Sequence, residues 1–167
     1  MSKRSKTVVG CKPYLRCGYT IKWEMNMEHY RKLERMYSWA PINKYFGPAL
    51  SIRGGEATVE IDIRQEFHHT AGAMHGAVYF KALDDATFFA ANSLIDDVFV
   101  LTAKFEIEFL KPVVGGSIRA EGKVTTQTER RIHATGELFD ENGTLIGRGK
   151  GEFARSKIQL TPSVKYA

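Results

Sequence analysis

The sequence predicts an α+β fold, an antiparallel sheet wrapped around one long central helix, with an N-terminal helical extension in front of it. Three observations carry that prediction. The stretch from Ala77 to Ser93 contains neither Gly nor Pro and is apolar on nearly every face, which is the pattern of a buried helix. The segments around it alternate apolar and polar residues with a period of two, the pattern of half-buried strands. Turn residues punctuate those segments at Gly54-Gly55, at Pro112 and at Glu141-Asn142-Gly143, the last a strong hairpin signal. A helix apolar all round and strands with one apolar face bury each other when the sheet curls around the helix.

Taken in order, the chain starts with a basic arm. Asn26 then caps a helix in which Met27, Tyr30, Leu33, Met36, Tyr37 and Ala40 recur at spacings of three and four. Pro41 ends it, and a short turn from Ile42 to Phe46 is closed by Gly47-Pro48. Such a pair either lies over the sheet as a lid or simply covers one of its edges. Leu50 and Ile52, then Val59, Ile61 and Ile63, mark the first strand or hairpin. After the central helix, Val98 to Lys111 reads as a strand with Ala103, Phe105, Ile107 and Phe109 on one face, stopped by Pro112. Ser117 to Thr126, Ile132 to Phe139 and Thr144 to Arg155 complete four strands expected in meander order. Residues 1–47 are thus the basic arm and helical extension, 48–157 the main domain, and 158–167 an irregular tail.

Composition narrows the function classes. A chain of 167 residues, 43% hydrophobic and 26% charged, suits one domain of ordinary soluble composition. No apolar run reaches the roughly 18 residues of a membrane span, and the first ten residues lack a secretory apolar region. The expectation is a cytoplasmic protein with no membrane partner. Cys11 and Cys17 fit neither zinc spacing nor a disulfide framework and read as free thiols. Of the basic residues behind the net charge of +5, six fall in the first 22 positions, which hold no Asp or Glu. Without interleaved aromatics or a helix-turn-helix, that arm does not point to nucleic acid.

The chemistry concentrates where the loop His68-His69-Thr70-Ala71-Gly72-Ala73-Met74-His75-Gly76 enters the central helix. Lys81 and Asp85 stand four apart and can pair along the helix. Asp84 has Phe80, Thr87 and Phe88 as its neighbours three and four residues away, so it is the carboxylate without a local partner. Keeping such a group in an apolar helix is costly, and the usual reason is chemistry.

These residues resemble the hot-dog-fold acyl-CoA thioesterases, specifically the phenylacetyl-CoA thioesterase-like branch of the 4-hydroxybenzoyl-CoA thioesterase superfamily. The motif of that branch is a polar residue, five residues, His-Gly-Gly, and an acid eight positions after the first Gly. Here it reads His69, His75-Gly76-Ala77 and Asp84, with His69 in place of Asn or Gln and Ala77 in place of the second Gly. The resemblance runs from about Pro48 to Phe153 and takes in Phe109-Leu110-Lys111-Pro112 and Gly115-Gly116. It implies hydrolysis of an acyl-CoA thioester, with coenzyme A as part of the substrate and no separate cofactor. Asp84 would be general base or nucleophile, the Gly76 N–H would meet the oxyanion, and His69 would hold the carbonyl or the water. His75 would orient the loop, and Thr102, where relatives carry a hydroxyl, would position water. Against that last role, its strand phase matches Lys104, on the solvent side.

Ala77, Phe80 and Phe88 are expected at the acyl group or in helix packing, as are Met74 and Phe89. Lys111, Arg130 and Arg131 are candidates for the phosphates of coenzyme A, with a solvated surface as their simpler use. Gly147-Arg148-Gly149-Lys150-Gly151 follows a hairpin turn and opens no helix, so it is not a phosphate loop. A metal is not expected, because adjacent His68 and His69 point apart and the helical acids lie about 12 Å beyond the loop.

Helix geometry adds a constraint. Gly76 and Asp84 are eight residues apart, about 12 Å along one axis, and cannot reach the same carbonyl carbon. If both act, they come from different copies of the chain across a twofold axis, in a dimer or a dimer of dimers. Two rival readings remain: a non-catalytic acyl-CoA-binding protein, suggested by His69 and Ala77, and a hot-dog dehydratase, which would need a Pro-Gly after the His.

Overall fold

A computed structural model describes the backbone of residues 16–167 and the side chains of residues 26–167. Most of the basic arm, and the side chains of Cys11 and Cys17, lie outside the described residues. The elements are α1 (Arg16–Trp39), α2 (Asn43–Phe46), β1 (Ala49–Arg53), β2 (Glu56–Asp62), α3 (Gly76–Asn92), β3 (Val98–Phe109), β4 (Ser117–Gln127), β5 (Arg131–Asp140) and β6 (Leu145–Gln159). The helix expected to start at Asn26 begins at Arg16 instead, with Asn26 in its interior. Beyond β6 the tail makes one 3-10 turn at Pro162–Val164.

The six strands form one antiparallel sheet in the order β1-β2-β4-β5-β6-β3. The expected four-strand meander is therefore corrected. Only β4, β5 and β6 follow one another, while β3 crosses to the far edge and pairs with β6. Local patterning sets which face of a strand is buried and says nothing of its neighbour, so this crossover carries no sequence signal.

Glycines seat the helix on the sheet. Gly122, Gly136 and Gly149 stand side by side across β4, β5 and β6. A Cβ at Gly122 would lie 2.3 Å from the Ala86 backbone carbonyl, and one at Gly136 3.0 Å from Thr87 Cγ2. The alternation in Gly147-Arg148-Gly149-Lys150-Gly151 now has a packing reason: the glycines are buried and the two basic residues are exposed.

Two apolar clusters flank this seat. Val78, Leu83, Ile61, Ile118, Leu138 and Ile146 surround the first half of α3. Phe88, Phe89, Ile132 and Phe153 join Leu33, Met36 and Tyr37 of α1 around the second half. Asn92 closes the helix with every polar atom satisfied. Its Nδ2 donates to the Ile95 and Val98 carbonyls at 3.0 and 3.3 Å, and its Oδ1 accepts from the Val100 N–H at 3.1 Å.

The two sheet edges are treated differently. On β1, the Ile52 N–H donates to Glu34 Oε1 of α1 at 2.9 Å, so the helical extension covers that edge. On β3, among the described residues, no strand pairs with the outer side, and Leu101, Phe109 and Leu110 stand 47%, 57% and 44% exposed. Among the described residues no helix is long and apolar enough to cross a membrane.

Candidate active site

The loop into α3 is fixed by its own backbone. His69 N–H donates to the Ala73 carbonyl at 2.9 Å, Met74 N–H to the Val113 carbonyl at 2.7 Å, and His75 N–H to the Phe67 carbonyl at 2.8 Å. His75 is the N-cap: extended, with Nδ1 accepting from the Ala77 N–H at 3.0 Å. That bond occupies the Ala77 amide. Among the described residues, nothing accepts from the Gly76 N–H, which stays at the positive end of the helix dipole. Gly76 also has a packing role, since a Cβ there would meet the Phe109 ring at 3.2 Å.

His69 is held similarly. Its Nδ1 accepts from the Ala71 N–H at 3.1 Å, so a neutral ring carries its proton on Nε2, in the exposed part of the loop. A donor is thus presented as an Asn or Gln amide would present one. His69, Gly76, Tyr79, Phe109, Lys111 and Pro112 line an open cleft of about 410 Å³, and the Tyr79 hydroxyl anchors its far wall by donating to the Lys111 carbonyl at 2.8 Å.

A second and larger cleft, of about 610 Å³, opens two turns along α3. Asp84, Asp85 and Lys81 line it with Phe88, Phe89 and Thr102. Asp85 is the paired acid, accepting from Lys81 and, at 2.5 Å, from the Tyr37 hydroxyl of α1. Asp84 has a different environment. Burial pushes its carboxyl up to about 6, the Thr102 hydrogen bond lowers it, neighbouring Asp85 raises it and Lys81 lowers it. Thr102 Oγ1 donates to Asp84 Oδ1 at 3.0 Å.

Strand phase suggested the opposite face for Thr102. The reason is a bulge: Thr102 pairs with Phe153 and Lys104 with Glu152, leaving Ala103 as an extra residue. The bulge puts Thr102 on the face of Phe153 and Phe105, towards α3.

Of the residues singled out from sequence, Asp84, Thr102 and Phe88 share the larger cleft and His69, Gly76 and Lys111 the smaller one. Ala77 is exposed. Phe80, 43% exposed, packs its ring on Phe105 and borders neither cleft. Met74 belongs to the core. Arg130 and Arg131 also border neither cleft, and Arg131 pairs with Glu152 at 2.7 Å across the sheet. Among the described residues no three of His, Cys, Asp and Glu gather as metal ligands. Sequence reasoning missed the walls supplied by Met36 to Asn43 and by Ile158, Val164 and Lys165. Trp39, two residues before Pro41 and off the apolar stripe of α1, was the available hint.

Known proteins converge on the same region. A sequence model of the thioesterase superfamily matches residues 71–146. A presumptive esterase of Saccharolobus solfataricus is 27% identical over 134 residues, 79% of this chain and 92% of the relative. The PaaI protein from the phenylacetic acid degradation operon of Escherichia coli superposes with a TM-score of 0.74 at 20% identity, covering 81% of this chain and 99% of its own. A thioesterase family protein from Silicibacter pomeroyi gives 0.70 at 20% identity, with 75% and 96% covered. With six antiparallel strands around a central helix the chain has the hot-dog fold, and its segment from Ala71 to Ile146, which carries Gly76, Asp84 and Thr102, is similar to the thioesterase superfamily.

Proposed function

We propose that this protein hydrolyses acyl-CoA thioesters at two equivalent sites of a homodimer, each built from the start of α3 in one protomer and Asp84 in the other. The observation that carries the proposal is Asp84 itself, a carboxylate at the wall of an apolar cleft, held by Thr102 and pushed up to about 6. Near that value a carboxylate is still ionised at neutral pH while being basic enough to take a proton from water. The Gly76 N–H and His69 Nε2–H supply what Asp84 lacks, donors aimed at a developing oxyanion. Along α3 they lie about 12 Å from it, so one chain holds two half-sites. The bare β3 edge, with Leu101 and Phe109 exposed, gives the surface on which a second copy would bring them together. Lys111, exposed in the smaller cleft, is the basic residue placed to meet a coenzyme A phosphate.

In the reaction, Asp84 removes a proton from a water held with Thr102 as that water attacks the thioester carbon. The oxygen that gains charge is received by Gly76 and His69 of the other protomer. Collapse breaks the C–S bond and expels the coenzyme A thiolate, which takes up the proton from Asp84 directly or through solvent, leaving the free acid and the ionised carboxylate.

The decisive experiment mixes two inactive variants. Asp84→Asn removes the base, and Gly76→Pro removes the N–H donor at a first helical position, where Pro is tolerated. The preceding His75 is already extended, as Pro requires. In a mixed dimer one site has both mutations and the other neither, so refolding the two variants together should restore about half of the wild-type rate per heterodimer. Thiol release that stays at the level of the separate variants, although mass spectrometry shows heterodimers, would refute the shared site.

A further inference from the structure

The larger cleft is built mostly by parts of the chain outside the matched segment 71–146. One wall is the end of α1 and the turn after it, with Met36, Trp39, Ala40 and Ile42. Another is the tail, with Ile158 and Val164. Its polar side chains are largely occupied: the Tyr37 hydroxyl and Lys81 are bound to Asp85, and Asn43 Nδ2 donates to the Tyr37 carbonyl at 2.7 Å. Apart from Asp84 with Thr102, Lys165 and an unpartnered Asn43 Oδ1, the walls are apolar, and the rim carries Trp39, Ile42, Leu101 and Ile158 at 65%, 55%, 47% and 46% exposure. At about 30 Å³ per water-sized group, 610 Å³ has room for roughly 20 heavy atoms. An acetyl group or a single aromatic ring would leave most of it unfilled.

We infer that the α1 end and the C-terminal tail form an acyl-chain pocket next to Asp84, and that the preferred substrates carry a fatty acyl chain of roughly ten carbons or more. The inference rests on the acyl-CoA reading above and adds the acyl class and the segments that select it. Each methylene entering the pocket leaves water, so affinity rises with chain length until the pocket is full. Bulk placed on either added wall shortens the chain that fits.

The test uses the full chain carrying Asp84→Asn, which binds esters without turning them over. Calorimetry with acetyl-CoA and tetradecanoyl-CoA should show the longer ester bound at least about a hundredfold more tightly. Adding Ala40→Trp on one wall, or Val164→Trp on the other, should bring that ratio below about ten. Both positions are only partly buried at the margin of the fold, and two separate walls keep the test open if one variant misfolds. Equal affinity for the two esters, or a ratio unmoved by both tryptophans, overturns the pocket. Failure of the wild-type protein to release thiol from either ester instead overturns the hydrolase reading, while the binding ratio still decides the pocket.

Discussion

In the proposed reaction the start and the middle of α3 serve by opposite physics. At its start the useful groups are backbone and ring N–H donors in an open cleft, the Gly76 amide and His69 Nε2, with the His75 and His69 Nδ1 atoms holding the loop in shape. Two turns later the useful group is one carboxylate, desolvated by Phe88, Phe89 and the end of α1 and steadied by Thr102. Donors function while exposed because a helix terminus keeps them unpaired. A base is tuned only by taking it out of water. One stretch of helix cannot offer both environments to a single carbonyl, and in the proposed dimer a second copy supplies whichever of the two, start or middle, the first lacks.

Removing the tuned carboxylate should have the largest effect. Asp84→Asn should lower kcat/KM by on the order of a thousandfold, read as thiol release from an acyl-CoA. Thermal stability should move the other way. The folded carboxyl is raised above its unfolded value of 3.8 to about 6, so the folded state binds the extra proton between those values and stability falls as pH rises through the interval. At neutral pH the charged Asp84 therefore costs on the order of 3 kcal/mol, and Asn removes the charge. An inactive but more heat-stable variant is expected; one that is inactive and much less stable would make Asp84 a structural acid.

Next in size is the exposed end. Gly76→Pro should cost about a hundredfold in kcat with little change in KM, because the lost N–H acts on charge that develops after binding. A drop confined to KM would assign Gly76 to packing against Phe109. His69 comes third: His69→Ala should lose about tenfold, and His69→Gln should recover most of it by presenting an amide donor in place of Nε2–H. Equal losses in both would mean that the ring, held through Ala71, shapes the loop instead of meeting the substrate.

The sequence made the start and the middle of α3 legible to different degrees. A loop of small residues and His followed by an apolar run announces a helix start, and Asp84 stood out because Lys81 pairs with its neighbour. Both are local facts on a scale of four residues. The environment of Asp84 is assembled from α1, β3 and the tail, far apart in sequence, and no local period records it. Thr102 shows the limit most clearly, since one extra residue at Ala103 reverses the face that alternation assigns. The placement of β3 beside β6 was equally hidden, because patterning fixes faces and not neighbours. Arg130 and Arg131 read as phosphate contacts from charge alone, whereas the sheet sets Arg131 against Glu152.

Thr102 also gives the smallest and sharpest effect. With Asp84 as base, log kcat/KM should rise by about one per pH unit below its pKa and level off above it, a limb expected near 6. The Thr102 hydrogen bond favours the ionised carboxylate and so lowers that value against burial. Thr102→Val keeps the shape of the side chain and removes the bond. The acid limb should then shift to higher pH, with a rate loss that is largest below neutrality and shrinks as pH rises. A loss equal at every pH would place Thr102 on the attacking water alone, and an unchanged profile would separate it from Asp84 altogether. The comparison between the start and the middle of α3 is sharpened by running the same profile on Gly76→Pro. Its plateau should fall while its limb stays in place, because the substitution removes an uncharged N–H and leaves the Thr102 hydrogen bond and the burial that set the Asp84 carboxyl unchanged.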